Sequence, residues 1–333
     1  MTTFRASILL TTAAILAAAH PARAVVLHER YDRNTSVTPD SIAHDPWHLQ
    51  GLWSGFLGTP ISPNHFITAA HVAGTPSDVF YYRGQSYTID TTHGTNGVIT
   101  SPDHDLAIWK VKETLPNYAA LYDRNDEVGK HVVVVGRGAQ RGDNVYLGSE
   151  LKGWLWGHQD GVQSWGENDI ASVVNGGPGA GQLLRFTFDR NKGPNEAHLS
   201  VGDSGGGLFI LDAGLWKLAG INFGTDGPFA YADGAPTSPA TLFDKGGLYE
   251  YQDGDYIFRT DTGMDKPTAA YATRISSNLG FITTTVSLDT DITIGLPEPT
   301  TALILLSPLT LLKRPRRPPS SLPTAYRPLP TRV

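Results

Sequence analysis

Ser204 lies in the pentapeptide Gly202-Asp203-Ser204-Gly205-Gly206. Small neighbours leave its hydroxyl exposed on a tight turn, and the glycines let backbone N–H groups face a reacting carbonyl oxygen. A serine hydroxyl is a poor nucleophile until a base takes its proton, so the chemistry needs a histidine and a group to orient it. The same five residues fit Gly-x-Ser-x-Gly, the nucleophile elbow of α/β-hydrolases, in which the histidine follows the serine. No histidine follows Ser204; the last in the chain is His198. The base must therefore come from upstream. Ile67-Thr68-Ala69-Ala70-His71-Val72 runs from apolar to small residues and then to His71, which leaves room for an imidazole at a cleft. Asp105 opens the apolar run Leu106–Val111. A carboxylate at the edge of a core can accept the histidine's second N–H and fix its tautomer. Asp103 stands two residues earlier and competes for that role. The chain order is histidine, aspartate, serine, and the chemistry it would support is acyl transfer through Ser204.

These residues need rigid elements to hold them. Between residues 51 and 285 the chain alternates short apolar runs with Gly, Pro, Asn and Asp. The runs Phe66–Thr68, Val79–Tyr82, Leu106–Val111, His131–Val135, Leu183–Phe188, Leu208–Leu211 and Leu215–Phe223 are rich in β-branched and aromatic residues. That content and spacing predict the strands of an all-β domain. No repeat of 20–50 residues is visible. One helix is expected late, over Thr268–Ile282, where Tyr271, Ile275, Leu279 and Ile282 recur at helical steps. Residues 25–50 read as an extended lead-in, 225–265 as long surface loops, and 286–296 as a linker.

Thr-Ala-Ala-His, Asp-Leu-Ala and Gly-Asp-Ser-Gly-Gly, in this order, resemble the three sequence blocks of the trypsin/chymotrypsin family of serine proteases. The resemblance covers roughly 51–285. It implies two six-stranded antiparallel β-barrels with the active site between them, and a C-terminal helix. It also implies Ser204 as the acylated nucleophile, His71 as general base and then acid, Asp105 as the orienting group, and the Gly202 and Ser204 N–H groups as the oxyanion hole. The implied activity is a serine endopeptidase acting on a protein or peptide substrate without a cofactor. The family's pocket floor, six residues before the nucleophile, falls on His198. Aspartate there marks cleavage after Lys or Arg, so that preference is not implied. The segment that pairs with substrate and walls the pocket falls on Asn222-Phe223-Gly224, with Asn222 replacing the serine that supports the aspartate. Asp226 is a further source of charge for the pocket. In many members a freed Ile or Val N-terminus pairs with the aspartate before the nucleophile, here Asp203. Cleavage after Ala24 would expose Val25 for that role.

Composition narrows the class. Cysteine is absent from the 333 residues, which excludes disulfides, cysteine-ligated metals and thiol catalysis. Glycine (36) and proline (23) favour turns and short strands over long helices. Residues 1–24 carry Arg5 and Arg23 and no acid, and 297–333 carry six bases and only Glu298. The body between them holds 18 bases and 31 acids, a net −13. That charge argues against nucleic acid or anionic headgroups as partners.

The two ends read as addresses. Arg5, the run Ala6–Ala19 and the site Ala22-Arg23-Ala24 form a secretory signal pattern, 1–24, whose apolar run is too short to be a membrane anchor. Pro297-Glu298-Pro299, the apolar Thr301–Leu312 and the basic Lys313–Arg317 resemble the PEP-CTERM sorting signal of certain Gram-negative bacteria, at 297–317. That resemblance implies processing by an exosortase-type membrane enzyme, and a Pro-rich tail, 318–333, follows. The expectation is an exported, surface-associated or secreted monomer, transiently anchored through its C-terminus.

Weaker features carry bland readings. His44 and His48 have metal-ligand spacing, but Pro46 between them opposes a helix. The acids at 123–127 and 253–265 lack EF-hand spacing and read as solvated turns, with calcium the alternative. The seven tryptophans read as core, with a carbohydrate platform the alternative. The rival functions are a catalytically silent binding protein on the same fold and an ester hydrolase.

Overall fold

The computed structural model describes residues 25–28, 34–36 and 45–287. The signal-like segment, the sorting-like segment with its tail, the linker beyond Ser287 and His44 lie outside the described residues.

The fold is almost entirely β. The first half is a curled seven-stranded sheet, a half-barrel. Its order is Gln85–Thr88, Val79–Tyr82, Gly51–Trp53, Phe56–Ser62, His65–Thr68, Ala107–Lys110 and Val98–Thr100. An isolated antiparallel bridge, Ile89 to Val111, links the first strand's end to Ala107–Lys110. Alternation explains which side faces in. Along Val79–Tyr82, Phe80 and Tyr82 are buried and their neighbours exposed. Trp53, Phe66, Phe80 and Trp109 pack together at the centre, with Phe66 and Phe80 stacked at 3.9 Å.

The second half is a closed six-stranded barrel. Its order is Gly207–Asp212, His131–Gly136, Ser164–Asn175, Gln182–Thr187, Ala269–Arg274 and Leu215–Thr225, which pairs back to Gly207–Asp212. A short parallel strand, Ala120–Leu121, adds to Leu215–Thr225. The run Val132–Val135 lacks any polar alternation, and the packing shows why. Val132 and Val134 face the barrel's own core, while Val133 and Val135 join the core of the first half. Phe209 likewise joins the first core while Leu208 and Ile210 face the second. These strands bury both faces, so their sequence reads as continuous apolar text.

The late helix forms further along than its sequence predicts. Ala269–Arg274 is a barrel strand, inserted between Gln182–Thr187 and Leu215–Thr225. Its alanines 269, 270 and 272 are fully buried, a small-residue fit to a strand flanked on both edges. The helix runs over Leu279–Ser287, and Ile282 and Val286 enter the first core. Leu279 and Ile282 belong to the helical stripe; Tyr271 and Ile275 do not. The helix thus includes residues 286 and 287, which the sequence reading gave to the linker. Among the described residues no helix is long and apolar enough to cross a membrane.

The region read as loops, 225–265, also carries strands. Phe229–Ala230, Tyr249–Gln252 and Asp255–Phe258 form a small sheet, and Ala240–Leu242 joins the hairpin Ala139–Leu147/Glu150–Gln159. The described part of the lead-in is integral to the body. Val26–Leu27 pairs with Ala197–His198, and Val25, Val26 and Leu27 are buried.

The acidic segments hold cations of the chain itself. Glu127 is buried against Arg274 (2.6 Å) and Ser276. Glu150, Asp244 and Asp261 surround the fully buried Lys152 ammonium at 3.0, 2.5 and 3.4 Å. The same three carboxylates each bring an oxygen within 4.8 Å of the others, close enough to share a cation. Trp154 packs in a cluster with Phe188 and Phe243.

Candidate active site

Three segments converge where the two halves meet. His71 follows the strand His65–Thr68 of the first half, whose end is tied down by a Thr68 hydroxyl bond to the Leu57 carbonyl (2.8 Å). Asp105 lies two residues before Ala107–Lys110, the strand paired to His65–Thr68. Strand pairing therefore sets the spacing of His71 and Asp105. Ser204 comes from the loop between Ala197–His198 and Gly207–Asp212 of the second half.

The Asp105 carboxylate accepts twice from His71. One oxygen takes the backbone N–H (2.8 Å) and the other meets ring Nδ1 (2.6 Å). The imidazole's Nε2 lies 2.8 Å from the Ser204 hydroxyl. Asp105 is buried while the His71 side chain is 43% exposed. An imidazole so held with Nδ1–H on the carboxylate presents a basic Nε2 to the hydroxyl. Asp103 makes no contact of this kind among the described residues.

The serine loop is shaped by its glycines. Gly202 (φ +96°) and Gly205 (φ +77°) adopt backbone that side chains disfavour. A Cβ on Gly205 would also lie 2.2 Å from the Thr68 hydroxyl, so only glycine lets the serine loop approach the histidine strand. The Gly202 and Ser204 N–H groups have no protein acceptor among the described residues, leaving them available to an oxygen of a bound molecule.

Asp203 is the anchor of this loop. Its carboxylate accepts from Ser200 N (2.7 Å), Ser200 Oγ (3.0 Å) and Gly138 N (2.7 Å). The backbone N–H of Val25 also bonds to it. Burial nonetheless pushes Asp203 up to about 6.

A cleft of about 180 Å³ opens beside Ser204. Leu199, Ser200 and Val201 form one wall, Phe223, Gly224 and Thr225 the other, and Trp156 of the inserted hairpin closes a side. Phe223 and Gly224 line this cleft, with Phe223 edge-on to the His71 ring at 6.0 Å. His198 does not line this cleft. It is fully enclosed, its Nδ1 2.7 Å from the Leu199 carbonyl, and burial lowers its pKa to about 4. Asn222 is also fully buried. Its amide donates to the Val135 and Asp203 carbonyls (2.8 and 3.0 Å), so it braces the serine loop and makes no contact with Asp105. Asp226 is engaged by Lys245, Tyr271 and the Ala269 N–H, away from this cleft. Leu199, Ser200, Val201 and Thr225 could have been inferred from their neighbours in the motifs. Trp156 could not, because it comes from a hairpin that no motif reaches.

A two-sheet β fold with this arrangement between its halves is the architecture of the trypsin-like peptidases. The chain matches the trypsin-like peptidase domain over residues 53–221, just over half its length, and belongs to that family. A search of curated proteins returned no match. Similar solved structures include the active form of the Rv3671c protease of M. tuberculosis. It is 18% identical, covers 68% of this chain and 71% of that one, and has a TM-score of 0.38. The inactive serine-to-alanine form of the same protein is 16% identical over 77% and 97%, with a TM-score of 0.40. Neuropsin, a serine protease of mouse brain, is 14% identical over 77% and 99%, with a TM-score of 0.45.

Proposed function

We propose that this chain is an exported serine endopeptidase. The observation that carries the reading is the unbroken hydrogen-bonded series Asp105–His71–Ser204. In the proposed mechanism a substrate carbonyl carbon sits against Ser204 Oγ, with its oxygen toward the Gly202 and Ser204 N–H groups. His71 Nε2 takes the hydroxyl proton as Oγ bonds to carbon. The tetrahedral oxyanion is stabilised by the two N–H groups, and the His71 cation by Asp105. Collapse expels the amine, which takes the proton from His71 and leaves an acyl-Ser204 ester. Water, deprotonated by His71, then attacks that ester; collapse breaks the bond to Ser204 Oγ, which takes the proton back from His71, and the acid is released.

Export and maturation belong to the same proposal. Cleavage after Ala24 would turn the Val25 N–H on Asp203 into an ammonium beside a buried carboxylate. Asp203 and Ser204 are adjacent, so this ion pair would stiffen the oxyanion loop. The 297–317 segment is proposed to be processed by an exosortase-type membrane enzyme, leaving a monomeric protease at the cell surface or in the medium.

The test is labelling of the purified protein with a fluorophosphonate, followed by hydrolysis of a peptide library. Wild type should label, and Ser204→Ala should not. Ser204→Ala or His71→Ala should lower kcat by ~10⁴-fold or more. Absence of both labelling and hydrolysis, before and after limited proteolysis, would favour a silent binding protein. Hydrolysis of esters alone would favour an ester hydrolase.

A further inference from the structure

A second, larger cavity, about 660 Å³, continues from the cleft along the same strand, sharing Phe223, Gly224 and Thr225 as lining. Its far walls come from the barrel hairpin (Val174, Leu183, Arg185) and from the inserted small sheet (Glu250, Arg259). Along Leu215–Thr225, pairing with Gly207–Asp212 ends at Ile221, while pairing with Ala269–Arg274 continues through Thr225. Among the described residues, 223–225 therefore have one edge with no strand partner, beside open space at Gly224. An extended peptide can add to such an edge and send alternate side chains into the cavity.

Charge inside this cavity is unbalanced. Two carboxylates face three cations. Glu250 is held by Lys245 (3.0 Å) and Arg259 (2.7 Å). Asp226 is held by Lys245 (2.7 Å), the Tyr271 hydroxyl (2.7 Å) and the Ala269 N–H (3.0 Å). Arg185 lies beside the Tyr271 hydroxyl and has no carboxylate partner among the described residues. It is half-buried in strand Gln182–Thr187, so packing fixes its stem. A guanidinium offers a planar fork of donors matched to a carboxylate.

We propose that Arg185 is a specificity-determining residue. It receives an Asp or Glu side chain two to four residues before the scissile bond of a peptide bound along 223–225. This deepens the protease reading and shares its strand edge, but it concerns binding and so can be tested apart from catalysis.

The experiment uses the full chain carrying Ser204→Ala, so that peptide is bound but not cut. Fluorescence anisotropy is measured for peptides that differ only in Asp, Glu, Asn, Gln or Lys at those three positions. The acidic peptide should bind roughly tenfold more tightly than its amide and lysine counterparts at one position. Arg185→Gln should remove that difference, Arg185→Glu should reverse it toward lysine, and Arg185→Lys should retain part of it. The Arg185→Lys result also shows that the fold survives substitution there. Equal binding of acidic and amide peptides, no peptide binding, or an acidic preference that survives Arg185→Gln would each overturn the proposal. If the preference holds but the Ser204 protein never labels or hydrolyses, the inference stands and the protease reading fails.

Discussion

Trp156 is the residue whose role the motifs do not touch. It closes one side of the 180 Å³ cleft, with its indole N–H bonded to the Thr241 hydroxyl (2.9 Å). In the proposed protease, a cleft of this size, walled by Leu199, Phe223 and an indole, would suit a small or medium apolar side chain before the scissile bond. Trp156→Ala should shift preference toward Phe and Tyr, with kcat/KM for those peptides rising roughly tenfold relative to Ala and Val peptides. A library profile unchanged by the substitution would remove Trp156 from the specificity pocket. The convergence of His71, Asp105 and Ser204 was legible because Thr-Ala-Ala-His, Asp-Leu-Ala and Gly-Asp-Ser-Gly-Gly are local in sequence. His198 was misplaced because position in a motif does not fix which way a side chain points. Its strand pairs with Val26–Leu27, and its ring turns into the packing beside Phe188.

The region 225–265 is where element-scale reading failed. Its strands, Phe229–Ala230, Ala240–Leu242, Tyr249–Gln252 and Asp255–Phe258, are short and separated by Gly and Asp, so the text resembles loops. Their cohesion comes from long-range contacts that no local pattern displays. Lys152 is the clearest of these: it is fully buried and joins Glu150–Gln159 to Asp244 and Asp261 across the insertion. Replacing Lys152 with Met would leave buried Asp244 without its cation. The expected cost is ~3–5 kcal/mol, read as a lowered urea midpoint, and Lys152→Arg should recover part of it. A midpoint unchanged in Lys152→Met would show that the insertion is held by its apolar contacts alone. The helix, by contrast, was legible in kind but not in place. Helical steps through Tyr271 and Ile275 are also compatible with a strand that enters a helix, and barrel closure decided between them.

Val25 and the serine loop meet at Asp203, so the proposed maturation would act on the whole molecule. Burial raises Asp203 to about 6, which means the fold favours its neutral form. In a chain still extended beyond Val25, that contribution is present at low pH and lost as pH rises through about 6. A free Val25 ammonium would favour the carboxylate instead. Protein beginning at Val25 should therefore be more stable than protein extended by two residues at pH 8, by up to about 3 kcal/mol. The gap should shrink below pH 6, where Asp203 takes up its proton. Tm measured for both forms from pH 4 to 9 checks this, and parallel profiles would separate Val25 from maturation.

Strand His131–Gly136 has two apolar faces, each embedded in a different core. It acts as a party wall between two rooms: neither half can lose its interior without exposing the other's. The halves should therefore melt together, in one transition, despite their separate sheets. The same wall ends at Gly136, where any added Cβ would strike the Asp203 carboxylate. A run of four valines has no apolar reason to prefer one register over the next, since a one-residue slip buries valine on both sides again. What pins it is the end of the strand, fitted against the aspartate that holds the serine loop. The alignment of the two halves and the shape of the reactive gap between them are thus one choice, made at a single glycine.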